Sequence, residues 1–173
     1  MEKRSYQLFD ALNTKAFYQD NERPVIIADN LRTPENMGAV LRLAGNIGAL
    51  KTIFISTDAQ HFRKFKIKRT ASGAAEKTAW QVIADPGELS RLIPPGYQLI
   101  ALETSQTATD IFKFRFPCKT AFLIGNEVTG IRDELFARAS QALYIPLPGN
   151  ISSLNVTHAL TVGLFEWYRQ MNG

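Results

Sequence analysis

Arg42 stands six residues after Asn36 in the run Asn36-Met37-Gly38-Ala39-Val40-Leu41-Arg42. Farther along, Gly125-Asn126-Glu127-Val128-Thr129-Gly130 sets a carboxylate between two glycines, and Ile145-Pro146-Leu147-Pro148-Gly149 leads to Ser153-Leu154-Asn155. These residue types bind, orient and stabilise charge. A guanidinium steadies a developing oxyanion or clamps a phosphate. Amide and hydroxyl side chains orient a substrate oxygen, and glycines let other groups come close to the backbone. The usual partners for metal or thiol chemistry are missing. The chain has two histidines, His61 and His158, and one cysteine, Cys118, too few for a zinc site and unable to form an internal disulfide.

Local signals place each group. Thr33 is a good N-cap, Pro34 suits the first helical position, and Glu35 suits the positive helix end. Met37, Val40, Leu41, Ala44 and Ile47 recur at helical spacing and form a core stripe. Arg42 then points roughly opposite that stripe, with Gly38 and Gly45 on its side. Each glycine weakens a helix by about 1 kcal/mol relative to alanine, so something approaches this backbone closely: RNA, another loop or a second subunit. A solvated arginine beside incidental glycines is the plainer reading of this helix alone. Gly125 ends an apolar run and Gly130 opens the way to a helix. Ile131-Arg132 stand where a phosphate loop needs Lys and Ser/Thr, and the pattern is not the dinucleotide Gly-x-Gly-x-x-Gly. Glu127 is suited to hold this loop through backbone amides. Ser152 and Ser153 are placed to cap a helix starting near Leu154, whose N-terminus attracts anionic groups. His158, within that helix, reads as a packed side chain.

The elements that must carry these groups follow from the apolar pattern. Strands are expected at Pro24–Ala28, Thr52–Ile55, Gln81–Ala84, Gln98–Leu102, Ala121–Ile124 and Ala142–Ile145, as short continuous runs covered on both faces. Helices are expected at Pro34–Ile47, Pro86–Leu92, Arg132–Ala139 and Leu154–Met171, with a leading helix at about Ser5–Phe17 capped by Ser5. The alternation predicts an α/β fold with a mostly parallel sheet flanked by helices. No repeat or Pro/Gly/Ser-rich linker divides residues 1–173, so the expectation is one domain with a short N-terminal helical extension of about 20 residues. The last helix is apolar nearly all round, which calls for burial on more than one side. Net charge is +4 and the isoelectric point about 9.3, a balance compatible with RNA. Arg63, Lys64, Lys66, Lys68 and Arg69, interleaved with Phe62 and Phe65, make a basic run suited to RNA phosphates, although such runs are usually a solvated face. Lys113 and Arg115 extend it. The N-terminus shows neither a signal peptide nor a long apolar run, so a cytoplasmic location is the expectation.

Taken together and in this order, the three motifs resemble those of the SpoU/TrmH family, RNA 2′-O-ribose methyltransferases of the SPOUT superfamily, over about Pro24 to Trp167. The resemblance implies S-adenosylmethionine (AdoMet) as methyl donor, structured RNA as substrate, and a homodimer with active sites at the interface. It also implies a deep C-terminal trefoil knot, which base rates alone would reject. Arg42, Asn36, Ser153 and Asn155 then match the catalytic positions. Leu102, Glu103, Thr104, Gly125, Asn126, Glu127, Gly130, Ile145, Leu147, Gly149, Ser153 and Leu154 match the cofactor site, and no metal is implied. Two departures stand out: Thr33 where the family usually has Asp, and Leu147 where Met is common. The short N-terminal extension favours tRNA over rRNA. The alternatives are a non-catalytic RNA-binding or dimerisation module of the same fold, a SPOUT base methyltransferase, and, last, a dinucleotide-binding α/β protein.

Overall fold

The structure, a computed structural model, describes residues 22–56, 67 and 69–172. The expected leading helix, and Arg63, Lys64, Lys66 and Lys68 of the basic run, lie outside the described residues. Seven strands form one sheet: β1 (Val25–Asp29), β2 (Lys51–Ile55), β3 (Trp80–Ile83), β4 (Gln98–Leu102), β5 (Thr109–Asp110), β6 (Thr120–Ile124) and β7 (Gln141–Tyr144). Their order is β3-β2-β1-β6-β4-β7-β5, and every pairing is parallel. The helices are α1 (Pro34–Ile47), α2 (Ala74–Lys77), α3 (Leu89–Leu92), α4 (Asp133–Phe136) and α5 (Val156–Asn172), with a 3-10 turn at Pro86–Glu88.

The continuous apolar strands are explained by cover on both faces. Within β1, Ile26 and Ala28 face one core layer and Val25 and Ile27 the other. The first layer holds the α1 stripe together with Leu160, Leu164 and Trp167 of α5. The second is closed by Leu89 of α3 and Leu135 of α4. All five stripe residues of α1 are buried, and Thr33 caps it as expected: its Oγ1 accepts the Asn36 N–H at 3.2 Å. Gly48 ends the helix with φ 68°, a left-handed position that suits glycine.

What crowds Gly38 is a helical turn of the same chain, at Thr70. A Cβ there would strike the Thr70 side chain and sit 2.8 Å from the Thr70 carbonyl carbon. Thr70 Oγ1 lies 2.9 Å from the Pro34 carbonyl oxygen, fastening this turn to the start of α1. Gly45 faces Thr78 and Ala74 at ordinary contact distance.

At the other end of the chain, Trp167 is fully buried and its Nε1 donates to the Pro117 carbonyl at 3.2 Å. Gln170 Nε2 donates to the Phe114 carbonyl and Gln170 Oε1 accepts the Phe116 N–H. These bonds lock α5 onto the 114–117 segment. Glu166, 9% exposed, joins them by accepting from Arg169 and Gln170. The Arg169 hydrogen bond holds its carboxyl below the ordinary range, against the opposing effect of burial.

Candidate active site

In a parallel sheet every strand ends on the same edge, and loops leaving neighbouring carboxyl ends make a crevice. Here the loops after β4, β6 and β7 enclose a cleft of about 440 Å³, within the range of ligand pockets. Leu102, Glu103 and Thr104 come from the first loop, Gly125, Asn126, Glu127 and Gly130 from the second, and Ile145, Leu147, Ser153, Leu154 and Asn155 from the third. Of the residues matched to the cofactor site, Gly149 alone is not in the wall. Val128, inside the second motif, and Ser152, expected as a cap, line the cleft too, as do Val156 and Ala159, whose only sequence signal was adjacency to the third motif.

The second loop is held by its own backbone and by Asn126. Asn126 and Gly130 exchange N–H···O bonds at 3.0 Å in each direction. Asn126 Oδ1 accepts from the amides of Val128 and Thr129, and its Nδ2 donates to the Asn30 carbonyl at 2.7 Å. Gly125 is buried against the returning strand of this loop: a Cβ would strike the Gly130 carbonyl carbon and the Ile131 nitrogen. Gly130 has φ 71°, and a Cβ there would meet Glu103 Oε2 at 2.6 Å. Behind the loop, Asp29 at the end of β1 is 1% exposed and pairs with Arg132 at 2.7 Å, while its Oδ2 accepts the Arg132 N–H. Burial pulls the Arg132 guanidinium down, but the Asp29 hydrogen bond and charge outweigh it and hold it above its ordinary value.

Glu127 does hold backbone. Its Oε2 accepts the Arg32 N–H at 2.9 Å, and its Oε1 accepts from Asn36 Nδ2 at 2.5 Å. Asn36 Oδ1 in turn lies 3.4 Å from Asn155 Nδ2. One chain of polar contacts thus joins all three motifs.

The third loop differs from expectation at its end. Helix α5 begins at Val156, and its cap is Asn155, whose Oδ1 accepts the Thr157 N–H at 2.8 Å and the Thr157 hydroxyl at 2.6 Å. Ser152 and Ser153 are exposed on the cleft wall, two or more residues before the helix. Asn competes well as an N-cap, so the serines are left facing the cleft. His158 is exposed, correcting the expectation of a packed histidine.

Arg42 is exposed on α1 and does not line this cleft. Six residues of helix put it roughly 9 Å along the axis from Asn36, and it has no hydrogen bond or ion pair among the described residues. Arg69 is likewise exposed. No cluster of His, Cys, Asp and Glu able to hold a metal ion occurs among the described residues. No helix there is long and apolar enough to cross a membrane.

The wall fits a nucleoside. Leu102, Ile145, Leu147 and Leu154 offer apolar surface for a flat ring, while Thr104, Ser152 and Ser153 offer hydroxyls for a sugar. The chain is similar to known proteins along most of its length. A 23S rRNA (guanosine-2′-O-)-methyltransferase of Acinetobacter baylyi is 26% identical over 173 residues, covering 98% of this chain and 69% of its own length. A tRNA (guanosine(18)-2′-O)-methyltransferase of Escherichia coli is 28% identical, covering 84% of this chain and 62% of its own length. The chain thus spans less than two thirds of this second relative. Among solved structures, the SpoU methyltransferase AviRb from Streptomyces viridochromogenes in complex with AdoMet superimposes with a TM-score of 0.79 at 25% identity, over 88% of this chain and 59% of that one. A structure described as giving insights into 2-OH methylation of C/U34 on tRNA matches with a TM-score of 0.78 at 25% identity, over 87% of this chain and 97% of that one. The fold is the SpoU fold, which carries a knot. The SpoU rRNA methylase family model matches residues 23–165. With that match over most of its length, and the cleft built by the three motif loops, the chain belongs to the SpoU rRNA methylase family.

Proposed function

We propose that this chain transfers a methyl group from AdoMet to a ribose 2′-hydroxyl of RNA, with tRNA favoured over rRNA. The observation that carries the reading is the cleft at the ends of β4, β6 and β7, joined to Asn36 and Asn155 by the Glu127 contacts. AdoMet, when bound, would supply an electrophilic methyl: the sulfur–methyl bond breaks with its electrons left on sulfur as a neutral thioether, the hydroxyl oxygen takes the methyl, and the hydroxyl proton passes to solvent water. The chain's own residues hold and orient. Leu102, Ile145, Leu147 and Leu154 shelter the adenine, Thr104 and Ser153 meet sugar hydroxyls, and the pinned Gly125–Gly130 loop fixes the floor. Asn36 and Asn155 orient the ribose hydroxyl. Arg42 stabilises the developing alkoxide and clamps the neighbouring phosphate; a guanidinium scarcely gives up its proton, so it acts by charge.

Arg42 is absent from the cleft wall of its own chain, which supports a homodimer in which a second copy presents it. Phe165, 47% exposed on α5, is apolar surface available to such a partner. The preference for tRNA is supported by the solved relative acting on tRNA, which is matched over 97% of its own chain. Relatives named for both RNAs keep rRNA as the second reading.

The experiment is incubation with labelled AdoMet and separated tRNA and rRNA pools, with Arg42→Ala in parallel. Label enters the tRNA pool with wild type. Arg42→Ala loses at least two orders of magnitude in rate, on the scale of removing an oxyanion donor, while AdoMet still binds. A mutant that methylates near the wild-type rate removes Arg42 from the mechanism.

A further inference from the structure

The charge of the cleft is at odds with the rest of the chain. The sequence carries +4, yet among the described residues the cleft wall contains two carboxylates, Glu103 and Glu127, and no lysine, arginine or histidine. A site that had to take an RNA phosphate would have the opposite lining. Glu127 is held by Asn36 and the Arg32 amide, neutral donors on and just before α1. Glu103 is held within the cleft loops themselves. Its Oε2 accepts the Ile131 N–H and its Oε1 the Thr104 N–H, both at 3.1 Å. These amides fix the carboxylate against Gly130 but carry no formal charge to cancel its own, and no cation pairs with it among the described residues. An uncompensated acid therefore faces the ligand space.

We infer that Glu103 sets the preference of the cleft for a cationic sulfonium ligand over its neutral thioether product. The inference rests on the proposed function, since it takes AdoMet as the ligand. AdoMet and S-adenosylhomocysteine share every atom except the methyl group, and they differ by one positive charge at sulfur. A cleft of this size keeps a bound nucleoside within roughly a Debye length of Glu103, about 8 Å at physiological ionic strength. The carboxylate thus attracts the donor more than the product. Transfer of the methyl removes the charge that Glu103 holds, which loosens the product. The same acid repels RNA phosphates, keeping the backbone at the rim while the sugar hydroxyl enters.

The test is calorimetric titration of wild type, Glu103→Gln and Glu103→Asp with AdoMet and with S-adenosylhomocysteine, at low and high salt. The readout is the ratio of the two dissociation constants on each protein. Loop damage weakens both ligands together and cancels in the ratio. Relative to wild type, Glu103→Gln shifts the ratio toward the product by roughly three- to tenfold, whereas Glu103→Asp stays near wild type. The wild-type ratio moves the same way as salt rises, which keeps the test decisive should Glu103→Gln not fold. A ratio unchanged by both the substitution and the salt overturns the role of Glu103 and leaves the proposed function standing. Wild type that binds neither ligand overturns both.

Discussion

Close backbone packing sets what the glycines of the site tolerate. Gly125 packs against the Gly130–Ile131 peptide so closely that a methyl group has nowhere to go. Gly125→Ala therefore displaces the loop that floors the cleft. We expect AdoMet binding to fall below detection in calorimetry, with a stability loss of about 1–3 kcal/mol in denaturant unfolding. Asn155 carries two duties, the cap of α5 and the contact with Asn36. Asn155→Ala should cost about 1 kcal/mol as a lost cap and slow methyl transfer as well. Asn155→Ser should recover most of the stability, because serine caps comparably, but not the reach to Asn36. Recovery of stability and rate together by Asn155→Ser would reduce Asn155 to a cap. The sequence made the glycine requirement visible but not its cause. At Gly125 the group that comes close to the backbone is the loop's own return strand.

At the scale of elements, α1 was legible end to end, because capping, proline and stripe signals all agree. The six expected strands are present to within a residue or so at their ends. β5 escaped notice because it is two polar residues, Thr109 and Asp110, with no apolar run to betray it. Helix α2, four residues long, left no periodicity to read. The start of α5 was placed too early because Ser153 and Asn155 are both good caps, and only the three-dimensional path of the third loop chooses between them. The role of Gly38 was ambiguous for a similar reason: the crowding it permits comes from Thr70, 32 positions away in sequence. Gly38→Val should push the Thr70 turn off α1 and lower the unfolding midpoint by several degrees, equivalent to about 1–3 kcal/mol of overpacking. An unchanged midpoint would mean that this turn yields freely. Four of the five cations of the basic run lie outside the described residues and Arg69 is exposed, so the run's expected place beside RNA is a proposal carried by charge alone.

For the molecule as a whole, the bonds from α5 back to residues 114–117 tie the C-terminal helix to the segment leading into β6, the strand that also floors the cleft. Glu166 is central to that tie. Its carboxyl is held below its ordinary value of 4.5, chiefly by Arg169. A depressed folded value means that its contribution is present above about pH 4.5 and is lost as pH falls through the folded value. Glu166→Gln should therefore lower stability at neutral pH, with the gap to wild type closing in acid. A gap that is constant with pH would assign the loss to packing. The knot belongs to this scale also. No local signal in the sequence encodes it, since chain threading is a property of the path rather than of any residue's preference.

In the proposed function, three loops far apart in sequence form one cleft that presents a methyl donor to a sugar oxygen. The most direct measurement is digestion of the methylated RNA to nucleosides, followed by fragmentation mass spectrometry to locate the transferred label. Label is expected on the ribose fragment of a 2′-O-methylated nucleoside. Label on the base fragment would contradict it.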